Sequence, residues 1–110
     1  MSTTRDSAAD LPIDPAPAVS PPAPGHRRFL ILRTFPAGAL DGLDAATKAG
    51  VNAGNAQHDA RWVYSYANSD KTRTVCIYEG PTEQSVRDAA TTTGLPIDEV
   101  LEMPVVLLPR

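Results

Sequence analysis

Side chains that could bind a small molecule concentrate where three strands are expected, in residues 28–35, 61–67 and 72–79. Arg33 can pair with an anionic group, and tyrosine hydroxyls can orient a ligand through hydrogen bonds. Aromatic residues and arginine are also enriched in subunit interfaces. The same cluster could therefore be packing between two copies of the chain, with Arg33 paired to Glu79, to Glu102 or to a carboxylate of the other copy. The candidate ligand-binding residues are Arg33, Trp62, Tyr64, Tyr66, Cys76, Tyr78 and Glu79.

Cys76 and His58 could provide a nucleophile and a metal ligand. Cys76 lies in the middle of an expected strand, where a cysteine usually packs as a small hydrophobic side chain. It would act as a nucleophile only with a cation beside it, and Arg33 is the candidate cation. His58 precedes Asp59 in an expected connection and is the candidate metal residue, although two adjacent residues lack the spacing of a typical site. A solvated loop histidine is the alternative.

Residues 61–81 form the central hairpin of the predicted fold. Aromatic residues alternate with smaller ones over 62–67, as the two-residue period of a strand requires. A polar turn follows, and residues 72–79 form a second strand that ends at a Gly-Pro pair. A three-residue turn at 69–71 would pair Trp62 with Tyr78, Tyr64 with Cys76, and Tyr66 with Thr74. All of these side chains would then share one sheet face, and a one-residue slip would mix the two faces.

The remaining periodicities predict one strand before the hairpin, one strand after it, and two helices. The outer strands span residues 28–35 and 97–108, and Pro104 requires an edge position or a break in the second of these. Helical spacing covers residues 39–57 and 82–93, with Thr82 as N-cap and Gly94 as the C-terminal stop. The order β-α-β-β-α-β is an α+β, ferredoxin-like arrangement, in which two helices cover one face of a four-stranded antiparallel sheet.

The alternation in the first strand predicts which sheet face the helices cover. Leu30 and Leu32 alternate with Phe29, Ile31 and Arg33. The purely aliphatic pair suits the helix-covered face, so the other face would carry Arg33 and the aromatic residues. That face is too apolar to remain in water. A second copy packed sheet against sheet would cover it, forming a dimeric α/β barrel with a pocket inside each half.

Composition predicts one domain, over residues 27–110, after a disordered tail over residues 1–26. Six of the eleven prolines lie before residue 25, in a segment rich in Ala, Ser, Thr and Asp. The formal net charge of −3 argues against nucleic acid as the main ligand. No stretch has the apolar length of a membrane span. The single cysteine allows no internal disulfide and is consistent with a cytoplasmic protein.

Residues 28–109 resemble a bacterial family of small proteins of unassigned function, typified by a nickel-binding protein. The resemblance rests on four segments in the same order, which are FLILRTFP at 29–36, WVYSY at 62–66, Lys71 with TVCIYEGP at 74–81, and GLPID at 94–98. It implies a ferredoxin-like fold, a homodimer with a barrel-like interface, and nickel binding. Many relatives have a histidine just before the Gly-Leu pair, where this chain has Thr92 and Thr93.

Three functions are compatible with these residues. The first is a cytoplasmic homodimer that binds a small ligand or a metal ion, nickel being the ion that the resemblance implies. The second is a cofactor-free enzyme of the dimeric α/β-barrel kind, an isomerase, cyclase or monooxygenase, in which Tyr64, Tyr66 or Arg33 stabilises an enolate-like charge. The third is an interaction module whose proline-rich tail recruits a partner.

Overall fold

The computed structural model describes residues 21–109, so residues 1–20 of the predicted tail lie outside the described residues. The elements follow the order β1 (Arg27–Thr34), α1 (Ala45–Ala56), β2 (Arg61–Ala67), β3 (Arg73–Gly80), α2 (Glu83–Thr93) and β4 (Glu99–Glu102). The strands form one antiparallel sheet in the order β2-β3-β1-β4. This confirms the α+β, ferredoxin-like arrangement. No helix within the described range is long and apolar enough to cross a membrane.

Helix α1 is shorter than the predicted span of residues 39–57. Asp44 is its N-cap, and Oδ1 of this residue accepts a hydrogen bond from the Thr47 N–H at 2.8 Å. Residues 37–42 form turns instead of helix, and Gly38 has a φ of +82°. The first predicted turns of the helix therefore become a loop that leads from β1 into α1.

Helix α2 begins and ends as predicted. Thr82 is the N-cap, and its Oγ1 accepts a hydrogen bond from the Ser85 N–H at 3.0 Å. Gly94 ends the helix with a φ of +75°, in the left-handed region that favours glycine. The two caps fix the length of the helix that covers the centre of the sheet.

The helices cover the sheet face opposite to the one predicted. Phe29 and Ile31 are fully buried, in the same core cluster as Val86 of α2. Leu30 and Leu32 are only half-buried and lie on the open face. The prediction was wrong because both sets of residues in β1 are apolar. Alternation separates the two faces of such a strand but does not identify the face that meets the helices.

A β-bulge in β2 changes the predicted register of the hairpin. It lies between Trp62 and Tyr64, where one extra residue has no partner in β3. The observed pairs are Trp62 with Tyr78, as predicted, Tyr64 with Ile77, and Tyr66 with Val75. Trp62 therefore stays on the helix-covered face, whereas Tyr64 and Tyr66 lie on the open face. The predicted pairing of Tyr64 with Cys76 is wrong because a regular strand was assumed.

The hairpin turn is held by the side chain of Asn68. Its Oδ1 accepts hydrogen bonds from the backbone N–H groups of Thr72 at 3.0 Å and Arg73 at 2.9 Å. The Asn68 N–H donates to the Arg73 carbonyl at 3.0 Å, so the loop is one residue longer than predicted. Lys71 lies within this loop with a φ of +59°, which is unfavourable for a residue with a side chain.

Strand β4 is much shorter than the predicted region of residues 97–108. It pairs with β1 at the edge of the sheet and ends at Glu102. The Met103 N–H still donates to the Arg28 carbonyl at 2.9 Å, but Pro104 has no N–H to continue the ladder. The apolar residues beyond it, Val105 to Leu108, are exposed.

The two helices approach each other closely at Gly54. A Cβ atom at this position would lie 2.7 Å from Cγ2 of Thr93 in α2, closer than side chains can pack. No described atom lies within 4 Å of a Cβ built at Gly50, one turn earlier. Gly54 is therefore required for helix packing, whereas Gly50 is not.

Candidate functional site

A cavity of about 410 Å³ lies between the helix-covered face of the sheet and the segment formed by the β1–α1 loop and α1. This volume is within the usual range for small-molecule sites. Strand residues form its floor and apolar side chains form most of its walls. The floor residues are Arg33, Trp62, Ser65, Thr74, Cys76 and Tyr78, and the apolar wall residues are Phe35, Leu40, Leu43, Val51 and Leu95.

Arg33 brings a buried positive charge to the floor of the cavity. It is 2 % exposed, and its Nη1 donates a hydrogen bond to the Pro96 carbonyl at 2.7 Å. Its Nη2 has no hydrogen-bond partner within residues 21–109, and Arg33 makes no ion pair with any residue in that range. A buried N–H group without an acceptor costs about 1–3 kcal/mol, and more when it is charged. The guanidinium is therefore a candidate donor to an anion in the cavity, beside the Tyr78 side chain that it already contacts.

Tyr78 places a hydroxyl on the same floor. The side chain is 2 % exposed, and its hydroxyl accepts a hydrogen bond from Nδ2 of Asn55 in α1 at 3.3 Å. Burial raises the pKa of Tyr78, and the nearby positive charge of Arg33 opposes this rise without cancelling it. The hydroxyl is therefore protonated at neutral pH and can donate its own hydrogen to a ligand.

Cys76 and Trp62 also line the cavity, and both are hydrogen-bonded. The Cys76 thiol is 6 % exposed and donates to Oγ1 of Thr74, with the two atoms 3.5 Å apart. Nε1 of Trp62 donates to Oγ of Ser65 at 2.9 Å. Trp62 is the single tryptophan of the chain, so its fluorescence reports on this cavity.

Three charged residues surround the mouth of the cavity. Lys48 comes from α1, Asp41 from the β1–α1 loop and Lys71 from the hairpin turn, and all three are exposed. Nζ of Lys71 lies 3.9 Å from Oδ1 of Asp41. An exposed pair at this distance contributes little, about 0–1 kcal/mol, so either partner is free to meet a ligand.

Three of the predicted pocket residues lie outside the cavity, on the open face of the sheet. The rings of Tyr64 and Tyr66 are edge to face there, with centroids 5.5 Å apart. Glu79 is 2 % exposed and accepts hydrogen bonds from Arg28 at 2.8 Å and Arg61 at 3.0 Å. The expected convergence of Arg33, Tyr64, Tyr66, Cys76 and Tyr78 on one face is therefore wrong for the two tyrosines of β2. Of the three predicted enolate stabilisers, the described structure brings only Arg33 to the cavity.

The two predicted partners of Arg33 within the chain, Glu79 and Glu102, are paired with other arginines. Arg28 and Arg61 bind Glu79, and Glu102 lies 3.8 Å from Arg27. Burial alone would raise the pKa of Glu79, but the hydrogen bonds and charges of Arg28 and Arg61 outweigh burial and lower the pKa. Glu79 is thus an ionised carboxylate within a structural cluster on the open face.

The candidate metal residue His58 lies outside the cavity. Its Nε2 is 2.7 Å from Oγ1 of Thr92, while Nε2 of His26 is 3.1 Å from Oδ2 of Asp59. Within residues 21–109, no three side chains of the His, Cys, Asp or Glu type are grouped closely enough to hold a metal ion. The described residues of one chain therefore do not fit a nickel site.

Sequence reasoning missed Asn55, Pro96 and the lysines as part of the site. Asn55 is 1 % exposed and its Oδ1 has no hydrogen-bond partner among the described residues, which is unusual for a buried amide. A backbone carbonyl such as that of Pro96 gives no sequence signal. The lysines do give a sequence signal, because Lys48 and Lys71 are the only two lysines in the chain.

The chain is similar to one family and to one solved structure. The model of the family described as "Nickel responsive protein SCO4226-like" matches residues 29–103. The crystal structure of SCO4226 from Streptomyces coelicolor A3(2) superposes with a TM-score of 0.62 at 18% identity, covering 73% of this chain and 99% of that chain. At this identity the likeness shows a shared fold. No curated protein matches the chain. Because the family model covers more than half of the sequence, the chain belongs to the nickel responsive protein SCO4226-like family.

Proposed function

We propose that the protein binds a small organic anion in the cavity between the sheet and α1. The observation that carries this proposal is the guanidinium of Arg33, which is 2 % exposed and has an Nη2 without a hydrogen-bond partner among the described residues. A carboxylate oxygen would accept the missing hydrogen bond and neutralise the buried charge. Arginine is suited to this role because its planar donors match a carboxylate.

The surroundings of Arg33 support an organic ligand over an inorganic ion. The Tyr78 hydroxyl is a second donor on the cavity floor, and five apolar side chains line the walls. Such a lining favours a molecule with a carbon skeleton and a few polar groups. A cofactor-free enzyme would use the same cavity, with Arg33 and Tyr78 as the donors to a developing oxyanion.

A titration with short carboxylic acids tests the proposal. Trp62 fluorescence and calorimetry should both report binding of a ligand such as hexanoate to the untagged protein. Arg33→Gln should reduce the affinity by about tenfold or more, because a charge-assisted hydrogen bond is lost. Arg33→Lys keeps the charge but not the paired donors of the guanidinium. Its affinity for the ligand should therefore lie between the affinities of wild type and Arg33→Gln. Arg87→Gln is the matched control, since Arg87 is exposed on α2 and pairs with Glu83.

Circular dichroism separates loss of binding from loss of folding in these variants. A folded Arg33→Gln protein with wild-type affinity would contradict the proposal. So would a wild-type protein that binds none of the carboxylates between four and eight carbons.

Nickel is the second candidate ligand, because the family description names it. The described residues of one chain do not group three suitable side chains, so such a site would need residues beyond 21–109 or a second copy. Calorimetric titration of the untagged protein with nickel tests this candidate. Tight binding at a fixed stoichiometry that His58→Ala reduces would support it, and no binding would remove it.

We also propose that the protein is a cytoplasmic homodimer formed through the open sheet face. The aliphatic side chains of this face, Leu30, Leu32, Val75, Ile77 and Leu101, are only half-buried. Tyr66 on the same face is 69 % exposed. A contiguous apolar surface of this kind favours packing against a second copy. Sedimentation velocity tests it, and a stable monomer at high concentration would contradict it.

A further inference from the structure

Both lysines of the chain lie at the mouth of the same cavity. The sequence has ten basic residues, and Lys48 and Lys71 are the only lysines among them. They come from different elements, α1 and the hairpin turn, yet both line the cavity whose floor carries Arg33. We propose that the ligand is a small molecule with an anionic group at each end of an apolar body, such as a linear dicarboxylate. Arg33 would bind one end and the two lysines the other; this inference rests on the proposed function.

The charge of the cavity lining is opposite to the charge of the chain. Three cationic side chains and one carboxylate, Asp41, line the cavity, which leaves a local excess of two positive charges. The chain as a whole has a formal net charge of −3. A concave site with a local charge opposite to that of the chain attracts ligands of the complementary sign. One buried cation would suffice for a monoanion, so the two lysines indicate a second anionic group.

The positions of the cations separate the two ends of the ligand. Arg33 is 2 % exposed at the floor, whereas Lys48 and Lys71 are exposed at the mouth. Apolar residues such as Leu43, Val51 and Leu95 line the same cavity. A ligand that spans the cavity therefore needs an uncharged middle and a charged group at each end.

The backbone of Lys71 provides an independent observation. Its φ of +59° lies in the left-handed region, where a lysine is less favourable than glycine or asparagine. A strained residue that lines a cavity is a reasonable candidate for a functional side chain. Its pairing with Asp41 is long, at 3.9 Å, and exposed, so an incoming carboxylate can replace Asp41.

The test compares dicarboxylates with monocarboxylates of equal length, from four to eight carbons, by Trp62 fluorescence and calorimetry. At neutral pH both carboxyl groups of a dicarboxylate are ionised. At the best length, the dicarboxylate should bind about tenfold or more tightly than the monocarboxylate. The preference should decrease as salt is added, because the lysine end is exposed.

Substitutions of the two lysines at the cavity mouth test whether they bind the second carboxylate of the ligand. In the Lys48→Gln/Lys71→Gln double variant the dicarboxylate preference should disappear, because the affinity for the dicarboxylate should fall more than the affinity for the monocarboxylate. Lys48→Arg/Lys71→Arg should keep the preference. Asp41→Asn is the matched control at the same mouth, and it should increase the affinity for the dicarboxylate because it removes a competing carboxylate.

Distinct results would overturn this inference and the proposed function. The two-ended ligand is wrong if the monocarboxylate binds through Arg33 but no dicarboxylate is preferred. It is also wrong if the dicarboxylate preference survives in the double glutamine variant. In both cases the proposed anion site at Arg33 stands. An alkyl phosphate carries two charges on one group, and a preference for it equal to that for the dicarboxylate would also contradict two separate ends. If neither class of ligand binds, both proposals fail.

Discussion

The guanidinium of Arg33 lies against the ring of Tyr78, with Cζ 5.5 Å from the ring centroid. Such a cation–π contact contributes about 0.5–2 kcal/mol, with the larger values at buried positions. Arg33 is in β1, Tyr78 is in β3, and the Tyr78 hydroxyl accepts a hydrogen bond from Asn55 of α1. One arginine–tyrosine contact thus connects two strands and a helix and fixes the donors on the cavity floor.

Tyr78→Phe should lower the free energy of unfolding by about 1–3 kcal/mol, because Nδ2 of Asn55 would lose its acceptor in a buried site. Chemical denaturation followed by circular dichroism measures the change. Tyr66→Phe is the control, since Tyr66 is 69 % exposed and should change stability by less than about 0.5 kcal/mol. Equal effects of the two substitutions would contradict the role given to the Tyr78 hydroxyl.

Gly50→Ala and Gly54→Ala should change stability in opposite directions, although both lie in α1. Alanine at Gly50 meets no described atom and should stabilise the helix by up to about 1 kcal/mol. Alanine at Gly54 would meet Cγ2 of Thr93 at 2.7 Å, and overpacking of this kind costs about 1–3 kcal/mol. Thermal denaturation of the two variants measures the difference. A stabilising Gly54→Ala would mean that α1 and α2 are not in close contact there.

The order of elements could be predicted from the sequence because each boundary has a local cause. Thr82 and Gly94 enclose α2, and Pro104 has no N–H with which to continue the last strand. The β1–α1 boundary was missed because Asp44, the actual N-cap, follows a stretch with helical spacing. Local signals of this kind specify where elements begin and end, and not which faces meet.

The site could be predicted only in part, because its residues are assembled by register and by side-chain contacts. Cys76 and Tyr78 alternate in one strand, and Arg33 follows the matching alternation in β1. These three do share a face. Tyr64 and Tyr66 do not join them, because the bulge after Trp62 reverses the alternation for the rest of β2. A bulge leaves no distinct signal in this sequence.

Val75→Lys should convert the proposed dimer into a folded monomer. Val75 pairs with Leu32 and Tyr66 and is half-buried on the open face, so a lysine there would bring a charge into the proposed interface. Sedimentation velocity should give a monomer, and circular dichroism should be unchanged. Ala49→Lys, at an exposed position of α1, should leave the oligomeric state unchanged. A wild-type monomer, or a dimer that both variants retain, would contradict the proposed interface.

Glu79 should make the stability of the protein depend on pH in the acidic range. Its pKa in the folded state is below the ordinary value of 4.5, because Arg28 and Arg61 bind the carboxylate more strongly than burial disfavours it. A lowered folded-state pKa stabilises the fold above the unfolded pKa, and this contribution is lost as pH falls from about 4.5 through the folded-state pKa.

Glu79→Gln cannot ionise and leaves the buried side chain of Arg28 without its carboxylate. At pH 7 the substitution should lower the free energy of unfolding by about 1–3 kcal/mol, and the difference from wild type should shrink steadily below pH 4.5. Denaturant unfolding between pH 2.5 and pH 7 measures this difference. Glu83→Gln, which removes only an exposed pair with Arg87, should change stability by about 0.5 kcal/mol or less. A wild-type advantage over Glu79→Gln that is constant across this range would mean that Glu79 contributes by its shape and not by its charge.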